Sequence, residues 1–222
     1  MSGFSTARQK MVDGQVRTRD VTDSRILEAM LTLPREAFVP DDKRALAYLD
    51  LDLDVGSGAP GRFLVKPVLT AQLLQAAEIA GTDHVLVVGC ATGYAAALAA
   101  RLAAKVTATE SDAALVETGN KVLSQLGLTN VTLKVAPAAE GDSAGAPYDV
   151  ILLNGATEVV PEKLCGQLKG DGGRLLGVFA QSRPARAMIV TRSHGDEFGD
   201  RALFDAAAPV LPGLERLPSF VF

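Results

Sequence analysis

From residue 83 onward, short apolar runs of strand length alternate with longer segments of helical period. The strand candidates are HVLVVG, KVTATE, VTLKV and YDVILLN, and helices are predicted over 93–102 and 112–126. HVLVVG is uninterrupted and ends in glycine, which is typical of a strand buried on both faces. Strands that alternate with helices predict an α/β protein with a mostly parallel, doubly wound sheet and right-handed crossovers.

The chain on either side of this region completes the pattern. Residues 6–40 carry apolar positions at helical spacings, with a helix start at Thr22-Asp23-Ser24 and an end at Leu33-Pro34. A loop rich in Gly, Asp and Pro follows, LDLDVGSGAPGRFLVKP, and then a helix from Pro67 to about Gly81. A helix over 161–168 is followed by strand candidates GGRLLGVFA and ARAMIVTRS and by a last group of apolar pieces.

Length and composition favour one globular domain. The chain has 222 residues, of which 48% are hydrophobic and 22% charged, so a core is easily filled. We predict a single domain over 1–222, with an N-terminal helical extension and loop over 1–66 and a Rossmann-like core over 67–222.

Charge and cysteine usage exclude several function classes. A net charge of -4 and a pI of about 5.3 argue against nucleic acid and anionic membranes as partners. No apolar run approaches the ~20 residues of a membrane span. Two separated cysteines without a signal peptide predict free thiols in the cytoplasm, and with only two histidines no metal site is expected. The oligomeric state is left open.

A glycine-rich turn follows the first buried strand, and it is the strongest ligand signal. In VLVVGCATGYAAALAA, Gly89 and Gly93 lie where a doubly wound sheet binds ligands, and G-x-A-x-G fits a nucleoside better than a pyrophosphate. Glu110 ends the next strand, where a carboxylate can accept hydrogen bonds from both ribose hydroxyls. The predicted cofactor-binding residues are Gly89, Cys90, Ala91, Gly93, Tyr94 and Glu110.

Several longer motifs follow one another along the chain. The first is MVDGQVRTRDVTDSRILEAMLTLPREAFVP near the N-terminus, and it is followed by VLVVGCATGYAAALAA, VTATE, LGLTNV, GAPYDVILLNGA and VPEKLCGQLKGDGGRLLGVFA. In their order and spacing, these motifs resemble the protein-L-isoaspartate O-methyltransferase family over nearly the whole chain. The resemblance implies a class I S-adenosylmethionine-dependent methyltransferase fold with S-adenosylmethionine as cofactor. It also implies protein repair, in which a methyl group is transferred to the carboxylate of isoaspartyl residues in damaged proteins or peptides. A carboxylate is already nucleophilic near neutral pH, so alignment and exclusion of water are the main requirements.

The loop before the helix at Pro67 departs from that family. A G-Q-T-I-S-Q-P type loop supplies hydroxyls to the substrate there, whereas GRFLVKP has Phe63 for the threonine, Val65 for the serine and Lys66 for the second glutamine. About three additional residues are expected between Gly58 and Pro67. We predict a substrate loop of Phe63, Leu64, Val65 and Lys66, and we assign no catalytic residue.

The cofactor motifs depart as well. Val87 stands where the family usually has an acid, Ala91 replaces the middle glycine, and Ala136-Pro137-Ala138 replaces a G-D-G whose aspartate contacts adenine. Tyr94 and Cys90 each have a structural interpretation too, the first as a core aromatic and the second as a small residue in a tight turn.

Three interpretations therefore stay open. The protein is an active isoaspartyl methyltransferase, a catalytically degenerate member (a pseudoenzyme) kept for binding or regulation, or a methyltransferase for another substrate. A further hypothesis is that the apolar segment Phe63-Leu64-Val65 folds into the cofactor cleft and fills it.

Overall fold

The computed structural model of the protein describes residues 3–56, 58 and 61–217, and at its centre is a seven-stranded sheet. The strands are β1 (Leu53–Asp54), β2 (Phe63–Leu64), β3 (His84–Val88), β4 (Lys105–Glu110), β5 (Val131–Val135), β6 (Val150–Thr157), β7 (Gly173–Phe179), β8 (Arg186–Arg192) and β9 (Phe198–Asp205). The order in the large sheet is β5-β4-β3-β6-β7-β8-β9. The first five strands in this order run parallel and the last two pair antiparallel, so the predicted mostly parallel α/β sheet is confirmed.

Among the described residues, six α-helices connect or precede these strands. They are α1 (Gly3–Met11), α2 (Ser24–Thr32), α3 (Pro67–Ala76), α4 (Tyr94–Ala100), α5 (Ala113–Gln125) and α6 (Glu162–Cys165). The predicted start of α2 is confirmed, because Asp23 is its N-cap and accepts a hydrogen bond from the backbone N–H of Arg25. Asp112 caps α5 in the same way.

The middle of the sheet is covered on both faces, as the uninterrupted apolar runs predict. Four of the five residues of β3 are buried, and so are all eight of β6. β9, at one edge, is largely exposed. The carboxyl ends of β3, β4 and β6 therefore form a fixed edge on which a site can be built.

Three predicted helices are shorter than expected. Residues 12–19 form a π turn and a 3-10 turn rather than continuous α-helix, and Asp20 closes them with a left-handed φ of 59°. α3 ends at Ala76 rather than near residue 81, since Glu78 has a φ of 48°. α6 stops at Cys165 because Leu168 pairs with Tyr148 in an isolated β-bridge and must be extended.

The N-terminal segment packs into the same hydrophobic cluster as the sheet and its helices. Met11, Ile26 and Met30 share that cluster with Val85 of β3 and Leu98 of α4. The division at residues 66 and 67 remains a prediction. Within the described residues, no helix is long and apolar enough to cross a membrane. Residues 218–222, part of the last apolar group in the sequence, lie outside the described residues.

Candidate functional site

The turn after β3 is held in a conformation that brings its backbone close to neighbouring groups. Gly89, Ala91 and Gly93 all have positive φ values, of 68°, 51° and 96°. Glycine adopts this region freely, whereas alanine there is strained by ~1 kcal/mol or more. The side-chain amide of Asn154, on β6, donates to the carbonyl of Gly89 at 2.9 Å and fixes the start of the turn.

Glu110, the last residue of β4, holds its carboxylate against this turn. It is 1% exposed. Its Oε2 accepts from the backbone N–H of Ala91 at 2.8 Å, and its Oε1 accepts from the backbone N–H groups of Ser111 at 2.8 Å and Asp112 at 3.2 Å. Parallel strands end at the same edge, which explains why a carboxylate on β4 reaches the turn after β3.

The remaining capacity of this carboxylate is taken by Arg62. The guanidinium donates from Nε to Oε1 at 2.9 Å and from Nη2 to Oε2 at 2.6 Å, which is bidentate pairing with both side chains buried. Burial alone would raise the pKa of Glu110. The hydrogen bonds and charge of Arg62, with the N–H groups of Ala91 and Asp112, outweigh burial, so the pKa lies below its ordinary value.

A small hairpin delivers Arg62 to this position. β1 and β2 pair antiparallel, with Leu53 opposite Leu64 and Asp54 opposite Phe63, and the N–H of Val55 donates to the carbonyl of Arg62 at 2.7 Å. Side chains alternate along such a segment, so the side chains of Arg62 and Leu64 point inward while that of Phe63 is half-buried.

Leu211 closes the same space from the C-terminal segment. Its N–H donates to the carbonyl of Ala156 at 2.9 Å, which ties the segment to the end of β6. A Cβ built at Gly89 would overlap Leu211 Cδ2 and lie 3.1 Å from Arg62 Nη2, and one at Gly155 would lie 2.8 Å from Leu211 Cγ. Arg62 and Leu211 therefore occupy the space directly above the glycine turn.

The residue of the loop that the structure places against the glycine turn is Arg62, outside the apolar segment Phe63-Leu64-Val65 that was expected to fill the cleft. Leu64 and Val65 are 2% and 3% exposed and belong to the main hydrophobic cluster, so apolar burial holds them in the core. Lys66 follows them, and its backbone N–H donates to Asp52 at 2.8 Å. The residue of the loop that reaches the glycine turn is the charged one, Arg62.

Tyr94, predicted as part of the cofactor site, has its side chain in the core. Its ring packs edge-on against Phe38 at 5.4 Å, and the guanidinium of Arg35 lies 4.7 Å from its centroid. Burial raises the pKa of Tyr94 to about 12. These contacts agree with the interpretation of Tyr94 as a core aromatic.

Two other positions from the sequence analysis, Cys90 and Val87, have buried side chains. Cys90 is fully buried, and its burial raises the pKa of the thiol, which argues against a reactive thiolate. Val87 is completely buried in β3. In the part of the chain that the structure describes, no group of three or more His, Cys, Asp or Glu side chains is arranged to hold a metal ion.

Comparison with known proteins places this chain in a family. The family model of protein-L-isoaspartate(D-aspartate) O-methyltransferase (PCMT) matches residues 6–203. The chain belongs to this family. A protein-L-isoaspartate O-methyltransferase of Roseiflexus sp. (strain RS-1) is 36% identical over 220 residues, covering 97% of this chain and 98% of the relative. One from Koribacter versatilis (strain Ellin345) is 40% identical over 192 residues, covering 86% and 84%.

Solved structures agree on the fold. A protein-L-isoaspartate O-methyltransferase structure superposes with a TM-score of 0.81 at 24% identity, covering 94% of this chain and 67% of that one. A second, described as a PCMT from Plasmodium falciparum in complex with S-adenosyl-L-homocysteine, gives a TM-score of 0.75 at 16% identity, covering 95% and 99%. The predicted Rossmann-like class I methyltransferase fold is therefore confirmed.

Within this PCMT family member, sequence reasoning missed three residues at the glycine turn, namely Arg62, Leu211 and Asn154. Arg62 left a signal, since it is a charged residue between Gly61 and the apolar run at 63–65. Leu211 and Asn154 left none, because an isolated leucine or a strand-end asparagine fits many positions. The assignment of Gly89, Gly93 and Glu110 to a cofactor site remains a prediction.

Proposed function

We propose that this PCMT family member is an S-adenosylmethionine-dependent methyltransferase that esterifies the carboxylate of isoaspartyl residues in damaged proteins or peptides. The observation that carries the proposal is the family match over residues 6–203, together with a buried carboxylate at the end of β4 beside the glycine turn.

The accepting carboxylate of Glu110 and the glycines of the turn suit a nucleoside cofactor. Glu110 accepts two hydrogen bonds from Arg62 in addition to those from Ser111 and the backbone, and two is the number that a pair of ribose hydroxyls would donate in place of Arg62. Gly89 and Gly93 allow close approach because neither carries a Cβ. When bound, S-adenosylmethionine would supply an electrophilic methyl group on a sulfonium.

The residues of the protein then have two tasks, which are to orient the substrate carboxylate and to exclude water from the site. The substrate carboxylate needs no general base, since it is ionised at neutral pH. Arg62 and Leu211, which are 5% and 1% exposed, keep water from the space above the glycine turn until a ligand takes their place. No hydroxyl is available at Phe63 or Val65, so backbone groups and cations must hold the substrate in place of the family's side-chain hydroxyls.

A second candidate function is favoured by one observation. Val65, at the family's serine position, is 3% exposed and packs in the core, so its side chain presents nothing to a substrate. A non-catalytic member that binds ligands or partners without methyl transfer has the same fold and the same buried Val65.

Methyl transfer to a matched pair of peptides distinguishes the catalytic function from the non-catalytic one. An isoaspartyl peptide and the same peptide with normal aspartate are incubated with methyl-labelled S-adenosylmethionine, and base-labile label is counted. We expect label on the isoaspartyl peptide alone, and at least tenfold less with Glu110→Gln at limiting cofactor. Absence of label on both peptides, from a folded protein that binds S-adenosylhomocysteine, would instead support the non-catalytic function.

Cytoplasmic location, predicted from the sequence, stays a prediction.

A further inference from the structure

We propose that Arg62 and Leu211 form a displaceable plug in the cofactor cleft, so that the cofactor enters by exchanging its ribose hydroxyls for the guanidinium on Glu110. The inference rests on the proposed function, because it concerns the same cleft. Under this proposal, two residues that lie outside the predicted site control the affinity for the cofactor.

The guanidinium occupies Glu110 in the manner of a ligand. Two N–H groups of Arg62 meet the two oxygens at 2.9 and 2.6 Å in parallel, while the backbone N–H groups of Ala91, Ser111 and Asp112 use the remaining directions. The hydroxyl of Ser111 also donates to Oε1 at 3.1 Å, so the carboxylate has six donors and no capacity for two ribose hydroxyls. Hydroxyl donors and the guanidinium therefore compete for the same lone pairs.

Arg62 and Leu211 also occupy the space above the glycine turn that a cofactor would need. A Cβ built at Gly89 would overlap Leu211 Cδ2 and lie 3.1 Å from Arg62 Nη2, so both side chains border the surface that the glycine leaves free for a ligand. Leu211 is 1% exposed and Arg62 is 5% exposed, so solvent does not fill this space. A cofactor that approaches Gly89 must move at least one of the two side chains.

The side chains of Arg62 and Leu211 differ in how readily each can move out of the cofactor cleft. Arg62 immediately precedes the short strand β2, which pairs only with β1 among the described residues and not with the central sheet. Leu211 is tied to β6 through the Ala156 backbone. We therefore place the movable part of the plug at Arg62, and Leu211 as an apolar wall that narrows the opening.

Only molecules in the open state bind the cofactor. The apparent affinity is therefore the intrinsic affinity multiplied by the fraction of molecules that are open. Calorimetric titration with S-adenosylhomocysteine measures this directly and needs no turnover. We expect Arg62→Met, which keeps the length and removes the donors, to tighten binding at least tenfold. Arg62→Lys should tighten it about threefold, because a lysine cannot pair with both oxygens as a guanidinium does. Leu211→Ala should tighten binding severalfold without touching the ion pair.

Arg17→Met is the matched control, because it also removes one arginine from an ion pair, with Asp13, but on the exposed surface. Its affinity should equal that of the unmodified protein, and thermal unfolding establishes that each variant is folded. If Arg62→Met does not fold, Arg62→Lys and Leu211→Ala still decide the question.

Three results would overturn the plug. Equal or weaker binding by the Arg62 and Leu211 variants, with the unmodified protein binding normally, removes the plug and leaves the proposed function intact. Absence of binding by the unmodified protein and by every folded variant at millimolar ligand removes the proposed function as well. Tightening by Arg17→Met equal to that of Arg62→Met would make the effect one of net charge.

Discussion

Of the residues that the structure describes, two arginines are buried against the loop over 61–66, and their hydrogen-bond partners differ in kind. Arg62 pairs with the carboxylate of Glu110. Arg35 donates to two backbone carbonyls, those of Ala47 at 2.7 Å and Val65 at 2.9 Å, and stacks on Tyr94. Burial lowers the pKa of the Arg35 guanidinium, and among the described residues its Nη1 has no hydrogen-bond acceptor.

The difference separates a structural contact from an exchangeable one. Backbone carbonyls cannot leave without unfolding the segments that carry them, so Arg35 fixes the N-terminal segment and the loop together. A carboxylate at a strand end has alternative partners, since hydroxyls or other donors can replace a guanidinium. We therefore expect Arg35 to govern stability and Arg62 to govern ligand affinity.

The largest effect is expected from Arg35→Met. The carbonyls of Ala47 and Val65 would lose their charged donor and remain buried, which costs about 3–4 kcal/mol of unfolding free energy. Urea denaturation measures it. Arg17→Met should change stability by less than ~1 kcal/mol. A loss for Arg35→Met as small as that of the control would mean that Arg35 is not a structural contact.

A double-mutant cycle gives the next largest effect. Arg62→Met and Glu110→Gln, singly and together, should show a coupling of about 2 kcal/mol in unfolding free energy, because removal of one member leaves the other buried without its partner. The corresponding cycle of Arg35→Met with Glu110→Gln should be additive within ~0.5 kcal/mol, because the two share no hydrogen-bond partner. Equal coupling in both cycles would end the distinction between the two arginines.

Acid stability should follow Glu110 and not Arg35. The pKa of Glu110 is lower in the folded protein than in the unfolded chain, so its stabilisation is present above an unfolded pKa of ~4.3 and is lost as pH falls through the folded pKa. Glu110→Gln should flatten the fall in unfolding free energy below about pH 4.3, and Arg35→Met should leave that slope unchanged. Unfolding curves collected between neutral and acid pH test both statements, and an unchanged slope in Glu110→Gln contradicts the first.

The smallest effect is expected at the turn that Glu110 supports. Ala91 has a φ of 51°, and Ala91→Gly should relieve this strain and stabilise the protein by about 0.5–1 kcal/mol. Gly14→Ala is a control for the opposite change, since a Cβ there meets no atom within 4 Å and its φ is not positive. Destabilisation by Ala91→Gly would show that the hydrogen bond from Ala91 to Glu110 depends on the alanine backbone.

Much of the fold was predictable because its signal is local. The buried β3 and β6 follow from continuous apolar runs, and the start of α2 follows from Asp23 as N-cap. The helices over 161–168 and 67–81 were predicted too long. Their ends depend on a β-bridge at Leu168 and a left-handed residue at Glu78, which helical periodicity cannot reveal.

By itself, the sequence determined the parallel sheet, the family and the positions of Gly89, Gly93 and Glu110 at one edge of that sheet. Each of these depends on periodicity or on motifs of neighbouring residues. Only the tertiary structure decided that Arg62 pairs with Glu110, 48 positions away, and that Leu211 lies over Gly89. The physical reason is that such partners are chosen by the packing of a hairpin and a C-terminal segment against the sheet, and packing across long separations leaves no local pattern in the chain.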